Sequence, residues 1–293
     1  MQKNCDETDF SLLSSKGNHL YCLGGINEKS IQLSSVSKIN LSSKECKCLP
    51  EMVLPKIYFG ATVIGNKIYV CGGLNQNIRL NTLEVFDCQT NNWSKLAPMH
   101  HERSSFGMTT LNNMIFVSGG YDSSDGYLSS MERYCLKTNT WNVVGSMNEP
   151  RHGHELVTLN GEIFAIGNNN TKTVEKYNST TDEWNYVAST QNPHEYFGAA
   201  VHNNKIYVLS ENGFEIYDPC LNIWQNLTKF SIGYGPRLIS FNDKLFVVGG
   251  GHGNDVSEAS KSIFEYDIAS DSWHKLFDMD VARKYHRSVI VNL

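Results

Sequence analysis

Six times along the chain a short strand-like run meets glycine or its counterpart, and the runs return every 39 to 48 residues. HLYCLGG (19–25), KIYVCGG (67–73), MIFVSGG (114–120) and KLFVVGG (244–250) share one design; EIFAIGN (162–168) and KIYVLSE (205–211) are weaker copies. Counted at the first glycine position, the copies stand at Gly24, Gly72, Gly119, Gly167, Ser210 and Gly249, at intervals of 48, 47, 48, 43 and 39 residues. A period near 40–50 residues demands a repeat architecture, and strand-type local sequence excludes the helical repeat families. A single glycine beside a strand marks a bend or a close approach of backbones. Copies in phase around the chain mark a construction rule.

A second signal keeps the same phase. An aromatic residue precedes tryptophan by seven positions in five copies: Phe86 and Trp93, Tyr134 and Trp141, Tyr177 and Trp184, Tyr217 and Trp224, Tyr266 and Trp273. Ile39 and Cys46 keep the spacing in the first copy without the aromatics. Polar turns rich in Asn, Asp, Ser and Thr separate each pair, which reads as a hairpin. Upstream of each glycine signal lies another hairpin, as in GATVI-GN-KIYV, MTTL-NN-MIFV and LISF-ND-KLFV, where the two central residues tolerate the positive φ of tight turns. Each unit is therefore a four-stranded antiparallel meander, A-B-C-D. Six such sheets, none able to bury both faces alone, pack most simply as a radial propeller.

The double glycine, the downstream aromatic and the tryptophan resemble the kelch repeat, over about residues 17–293. The Met-x-x-x-Arg segments at Met99–Arg103, Met147–Arg151 and Met279–Arg283 are similar to those of the kelch-like adaptor proteins. The expected fold is thus all-β, a six-bladed kelch β-propeller, with residues 1–16 as a flexible tail. RSVIVN (287–292) resembles an A strand that stops at its turn, so it is expected to complete the first blade; the competing assignment gives that strand to FSLLSS (10–15). The resemblance implies a propeller that captures a protein substrate or actin. In that family an upstream BTB and BACK pair docks a cullin ubiquitin ligase; residues 1–16 are too few to supply either domain.

Composition narrows the function. The net charge is −5 with no basic block, which argues against nucleic acid and anionic membrane as partners. No apolar run reaches membrane length and the first residues lack a secretory pattern, so the chain is expected to be cytoplasmic. Of its eight cysteines, Cys22 and Cys71 end apolar strands, Cys88 and Cys135 follow an aromatic strand and Cys46 and Cys48 form an unpaired CxC, and such thiols are read as small buried hydrophobes. No cofactor or metal is expected: His152 and His154 alternate along an extended segment, and no P-loop, G-x-S-x-G or paired-carboxylate pattern is present. The arginine triad of sialidases is also missing, and six units are too few for a copper-oxidase ring. Non-catalytic protein binding is the reading. A six-bladed sugar-acid isomerase is the enzymatic alternative, and a cluster of Arg, Glu and His facing the lumen would favour it.

In an A-B-C-D meander the A–B and C–D turns share one face and the B–C and D–A loops the other. The B–C loops vary most, so the binding face is placed there. Candidate partner-binding residues are Tyr58, Ser104, Ser105, His152, Tyr196, Tyr234 and Tyr285, just beyond the basic position of each D–A segment, with Arg79, Tyr121 and His252 from B–C loops. The tyrosines suit a flat peptide surface with aromatic anchors. Arg103, Arg151 and Arg283 are assigned to the scaffold.

Overall fold

The structure, a computed structural model, describes residues 19–168, 171–228, 230–252 and 255–292, without the side chains of 252 and 255–257. The proposed tail, FSLLSS and the tip of the last B–C loop lie outside them. No helix occurs among the described residues.

Six four-stranded antiparallel sheets form the blades. Blade 2 runs in order from the axis outward through Gly60–Ile64, Lys67–Asn75, Ile78–Asp87 and Asn92–Leu96. Blades 3 to 6 repeat this order, beginning on the A strands Gly107–Leu111, Glu155–Leu159, Gly198–His202 and Arg237–Phe241. Blade 1 takes its A strand from the C-terminus: Arg287–Val291 pairs with His19–Leu23, Cys22 opposite Ser288. That strand lies between the A strands of blades 2 and 6, so the inner ring closes. Two short ribbons, Tyr121–Asp122 with Gly126–Tyr127 and Gly251–His252 with Asp255–Ala259, rise from the B–C loops of blades 3 and 6.

The turn residues behave as their chemistry requires. Asn112 and Asn113, Asn160 and Gly161, Asn203 and Asn204, and Asn242 and Asp243 all have positive φ, the signature of two-residue I′ hairpins. Gly72 and Gly73 have φ of 56° and 99°. A Cβ on Gly72 would lie 2.8 Å from the Arg103 carbonyl and from the Phe106 ring. The double glycine is therefore where the D–A segment of one blade boundary presses onto the end of strand B.

The aromatic-to-tryptophan spacing is a staple between blades. Tyr177 donates its hydroxyl to Asp182 Oδ1 at 2.6 Å, the same oxygen accepts the Gly145 N–H of the preceding blade at 2.8 Å, and Trp184 Nε1 donates to the Gly145 carbonyl at 2.8 Å. Asp182 itself sits at φ 59°. Tyr134, Asn139 and Trp141 repeat the device against Ala97, and Tyr217, Asn222 and Trp224 repeat it against Ala188. In blade 2 Phe86 has no hydroxyl and the facing residue, Pro50, has no N–H, so only the bond from Trp93 to the Pro50 carbonyl survives, at 3.0 Å. Asp182→Ala should cost about 2 kcal/mol, through two lost acceptor bonds and a left-handed turn residue, whereas Asp182→Asn keeps both acceptors and the turn and should cost less than about 1. Urea denaturation of the two variants checks this.

The cysteines depart from expectation. Cys22, Cys71 and Cys88 are buried, but Cys48 and Cys220 are exposed and Cys46 and Cys135 half-buried: Cys46 and Cys48 lie on the outermost strand of blade 1, Cys220 in a C–D turn and Cys135 at the end of a C strand. All seven of the described cysteines are free.

Candidate functional site at the channel mouth

The residue two beyond the basic position of each D–A segment adopts a left-handed conformation in all six blades: Tyr58, Ser105, Gly153, Tyr196, Gly235 and Tyr285, with φ from 48° to 71°. Backbone bonds link them around the axis, Ser105 N–H to the Tyr58 carbonyl, Gly153 to Ser105, Tyr196 to Gly153, Gly235 to Tyr196 and Tyr285 to Gly235, at 2.7–3.3 Å. A tyrosine at positive φ is held there against its preference by that linkage. The rings of Tyr58, Tyr196 and Tyr285 meet at centroid distances of 4.8–5.6 Å and plug the mouth of the channel. Small residues at the other three positions make room: a Cβ on Gly235 would lie 2.6–2.7 Å from Tyr285. Burial pushes all three hydroxyls upward, Tyr285 to about 12.

Directly below the plug lies a buried ion cluster that sequence reasoning missed. Glu155 Oε1 accepts from Arg237 Nη1 and, at 2.6 Å, from Arg287 Nη1. Arg237 Nε also donates to the His286 carbonyl and Arg287 Nε to the Phe59 carbonyl. Burial alone would raise the Glu155 carboxyl, but the two guanidiniums outweigh it and hold the group below the usual range. Burial, then Arg287, lowers Arg237 to about 10. The space enclosed between plug and cluster is only about 10 Å³.

His154 and His286 flank this cluster and are fully buried. They do not alternate across a strand as the sequence suggested for His152 and His154, because the left-handed Gly153 turns the backbone between those two. Burial, together with neighbouring arginines, drives both His154 and His286 well below the ordinary histidine value. Folded, they stay neutral, so below about pH 6.5 the unfolded chain binds more protons and stability falls as the pH falls. The expected loss from the pair is about 2.5 kcal/mol between pH 7 and 5.5, before the depressed carboxylates titrate. His154→Phe should flatten the profile in that interval, as read from denaturation midpoints.

The other candidates separate into two groups. Ser104 is buried, its backbone exchanging bonds with Tyr121, so it is scaffold and not a contact residue. Tyr234 stands apart from the plug and donates to Glu211. His252 ends a ribbon strand, and its side chain lies outside the description. Arg79, Tyr121 and His152 join a strip that also contains Tyr127, a residue the sequence reading passed over. The Arg79 guanidinium lies 4.2 Å from the Tyr121 ring and bonds to Ser123; Tyr121 meets Tyr127 edge-on at 5.3 Å; Tyr127 stacks on His152 at 4.2 Å; and His152 faces Glu195 at 3.3 Å. Tyr127 is 55% exposed and Ile78, at the head of the strip, 65%. The strip crosses blades 2 to 4 on the B–C/D–A face.

Arg103 and Arg151 are scaffold residues, as read. Each is fully buried, bonded to the backbone of the glycine region and paired with a carboxylate of strand C, Glu132 or Glu175. One metal-competent group occurs among the described residues, His101, Asp122 and Asp125, with ligand atoms within 4.8 Å of one another. Asp122 Oδ1 there caps the N–H groups of Ser124 and Asp125, which accounts for its position.

Known proteins carry the same architecture. The model of the KLHDC2/KLHL20/DRC7 Kelch-repeats domain matches residues 5–168, and that of the Kelch motif matches residues 150–191 and 233–279. Kelch-like protein 41a of Danio rerio is 37% identical over 95 residues, 32% of this chain and 16% of that protein. A putative F-box/kelch-repeat protein of Arabidopsis thaliana is 35% identical over 88 residues, 30% of this chain and 25% of that one. Kelch repeat and BTB domain-containing protein 2 of Ectromelia virus is 33% identical over 88 residues, 30% of this chain and 16% of that one. These matches thus span a quarter or less of each relative. A solved structure titled "Structure of YjhT" superposes with a TM-score of 0.72 at 14% identity, covering 87% of this chain and 96% of that one, which is agreement in fold. With one family model matching more than half of its length and a six-bladed ring built on the repeat, the chain belongs to the kelch-repeat family.

Proposed function

We propose that this propeller is a protein-recognition module working in the cytoplasm, similar to the substrate-binding part of a cullin–RING ubiquitin-ligase adaptor. The observation that carries the reading is the strip Arg79–Tyr121–Tyr127–His152 on the irregular-loop face, in which the exposed Tyr127 is held by its half-buried neighbours. Aromatic and arginine side chains held by a rigid scaffold are the usual energetic anchors of protein interfaces. Relatives whose names join kelch repeats to F-box or BTB domains support the adaptor role, with the cullin reached through a BTB domain. Proximity labelling in cells, with the wild-type chain and an Arg79→Ala/Tyr127→Ala variant of equal stability, tests it. A partner protein labelled by the first and lost from the second, together with a cullin, is expected. Actin without a cullin would move the reading to a cytoskeletal kelch protein, and identical labelling by both chains would remove the face from consideration.

A second reading, sugar-acid isomerisation, draws on the lumen cluster Arg237–Glu155–Arg287 with His154 and His286 beside it. Its composition suits a carboxylate-bearing sugar. The Tyr58–Tyr196–Tyr285 plug and the 10 Å³ space weigh against it, because a substrate would first have to part three packed rings. A thermal-shift screen of sugar acids decides: stabilisation that is lost in Arg287→Lys would favour this reading over protein capture.

A further inference from the structure

Beside the plug, at the boundary of blades 4 and 5, a cleft of about 90 Å³ is lined by Pro193, His194, Glu195, Glu211, Asn212 and Tyr234. Two carboxylates enter it from different loops, Glu195 from a D–A segment and Glu211 from the B–C turn of blade 5. His152 Nε2 lies 3.3 Å from Glu195 Oε1, and Glu211 accepts the Tyr234 hydroxyl; neither carboxylate forms an ion pair with a described lysine or arginine. The nearby cations are committed elsewhere. Arg237 and Arg287 share Glu155 beneath the plug, and the buried Lys284 ammonium lies 5.9 Å from the Tyr285 ring on the blade 1 side.

One tyrosine, Tyr234, lines the cleft beside the same carboxylates. The charge of Glu195 is felt at Tyr58, Tyr196 and Tyr285, where it adds to burial in raising the hydroxyls, and at Tyr234, where the Glu211 hydrogen bond is the larger cause. Ring faces and carboxylates attract the same kind of ligand, since the aromatic quadrupole and the formal charge both favour a cation. The cleft is the size of a side-chain head and its walls come from two blade-connecting segments and one B–C turn, so it suits one extended residue better than a folded element.

We propose that this cleft takes an arginine or lysine side chain of the partner, laid against Tyr234 with its charge on Glu195 and Glu211. The proposal rests on the protein-recognition reading and gives it a chemistry: the partner presents a basic residue in an extended segment. The strip over blades 2 to 4 then contacts the neighbouring part of the same segment.

The test uses a Gly/Ser-rich decapeptide with one central arginine, and the same peptide with citrulline, arginine's uncharged isostere, titrated into the intact chain while tyrosine ring resonances are followed by NMR. Saturable shifts at Tyr234 are expected for the arginine peptide, at least tenfold weaker binding for citrulline, and a similar loss in Glu195→Gln/Glu211→Gln at an unchanged melting temperature. Raising the salt should weaken the arginine complex and leave the citrulline one nearly unchanged. Equal affinity for both peptides, no saturable shift at millimolar arginine peptide, or full affinity in the double variant would overturn the proposal. The broader reading fails separately: a captured partner that ignores Glu195→Gln/Glu211→Gln but is lost on Tyr127→Ala would keep protein recognition and discard the cation cleft.

Discussion

Glu132→Ala is expected to cost about 3–5 kcal/mol, although the residue is fully buried and no part of the candidate binding strip. Arg103 and Glu132 are both fully buried, with the guanidinium Nε and Nη2 at 3.3 and 3.1 Å from Oε1 and Nη1 on the Gly119 and Ser130 carbonyls. Glu132 also accepts the His100 N–H at 2.9 Å. Burial works against its charge, yet that bond and Arg103 hold the carboxyl below its ordinary value. Removing the carboxylate strands a cation in the interior. Replacing both partners by apolar residues should cost far less than the single change, because the desolvation of two charges is then avoided. Blade 6 already embodies this outcome. The base and acid found together as Lys56–Glu84, Arg103–Glu132, Arg151–Glu175 and His194–Glu215 are there replaced together, by Gly233 and Phe264, and Phe264 packs against Phe230. At the seam between blades 6 and 1 only the base remains: Arg283 reaches Ser35 and Ser37 and meets no carboxylate among the described residues. A double-mutant cycle on Arg103→Met and Glu132→Leu, followed by chemical denaturation, should return a coupling energy of several kcal/mol. Additive losses would contradict this account of the pair.

Deleting residues 287–293 should abolish cooperative unfolding, with a loss of ~5 kcal/mol or more, the scale of a whole domain's stability. The removed strand supplies the five-residue ladder to His19–Leu23, the Arg287 contact to Glu155, and the buried Val291. The seam it closes lacks the staple, since Ile39 and Cys46 stand where the other blades carry an aromatic residue and a tryptophan. A truncated chain with an unchanged melting transition and intact amide protection in blade 1 would show that ring closure lies elsewhere.

The blades were legible because their signals are local and repeated. Two-residue turns, the double glycine and the spacing of aromatic to tryptophan each fix a backbone event within a few residues. Closure by Arg287–Val291 was legible for the same reason, as an A strand ending where its turn should begin. The plug was only half legible. The sequence placed Tyr58, Tyr196 and Tyr285 at one loop position, but their convergence depends on a left-handed backbone that a linked ring of six segments imposes. No single segment specifies it. Glu155, Arg237 and Arg287 could have been found, since each occupies the first position of an A strand where blades 2, 3 and 5 have Gly60, Gly107 and Gly198. A charge at a repeat position otherwise given to glycine marks a lumen-facing group. Tyr127 had no such marker, because the B–C loops share neither length nor sequence and its role arises from stacking on His152 of the next blade boundary.

The plug also changes what a tyrosine substitution reports. Tyr196→Ala removes a ring packed on both Tyr58 and Tyr285, so lower affinity in that variant would mix lost contact with a loosened mouth. Tyr127 is free of this difficulty, being more than half exposed. The most direct test of recognition through the B–C/D–A face is therefore the affinity of a labelled partner for Tyr127→Ala and for Lys137→Ala, an exposed C–D turn residue on the opposite face, each with its melting temperature. Binding weaker by ~1–3 kcal/mol in Tyr127→Ala, with Lys137→Ala equal to wild type and both melting normally, is the predicted result. Full affinity in Tyr127→Ala, or a loss confined to Lys137→Ala, would contradict it.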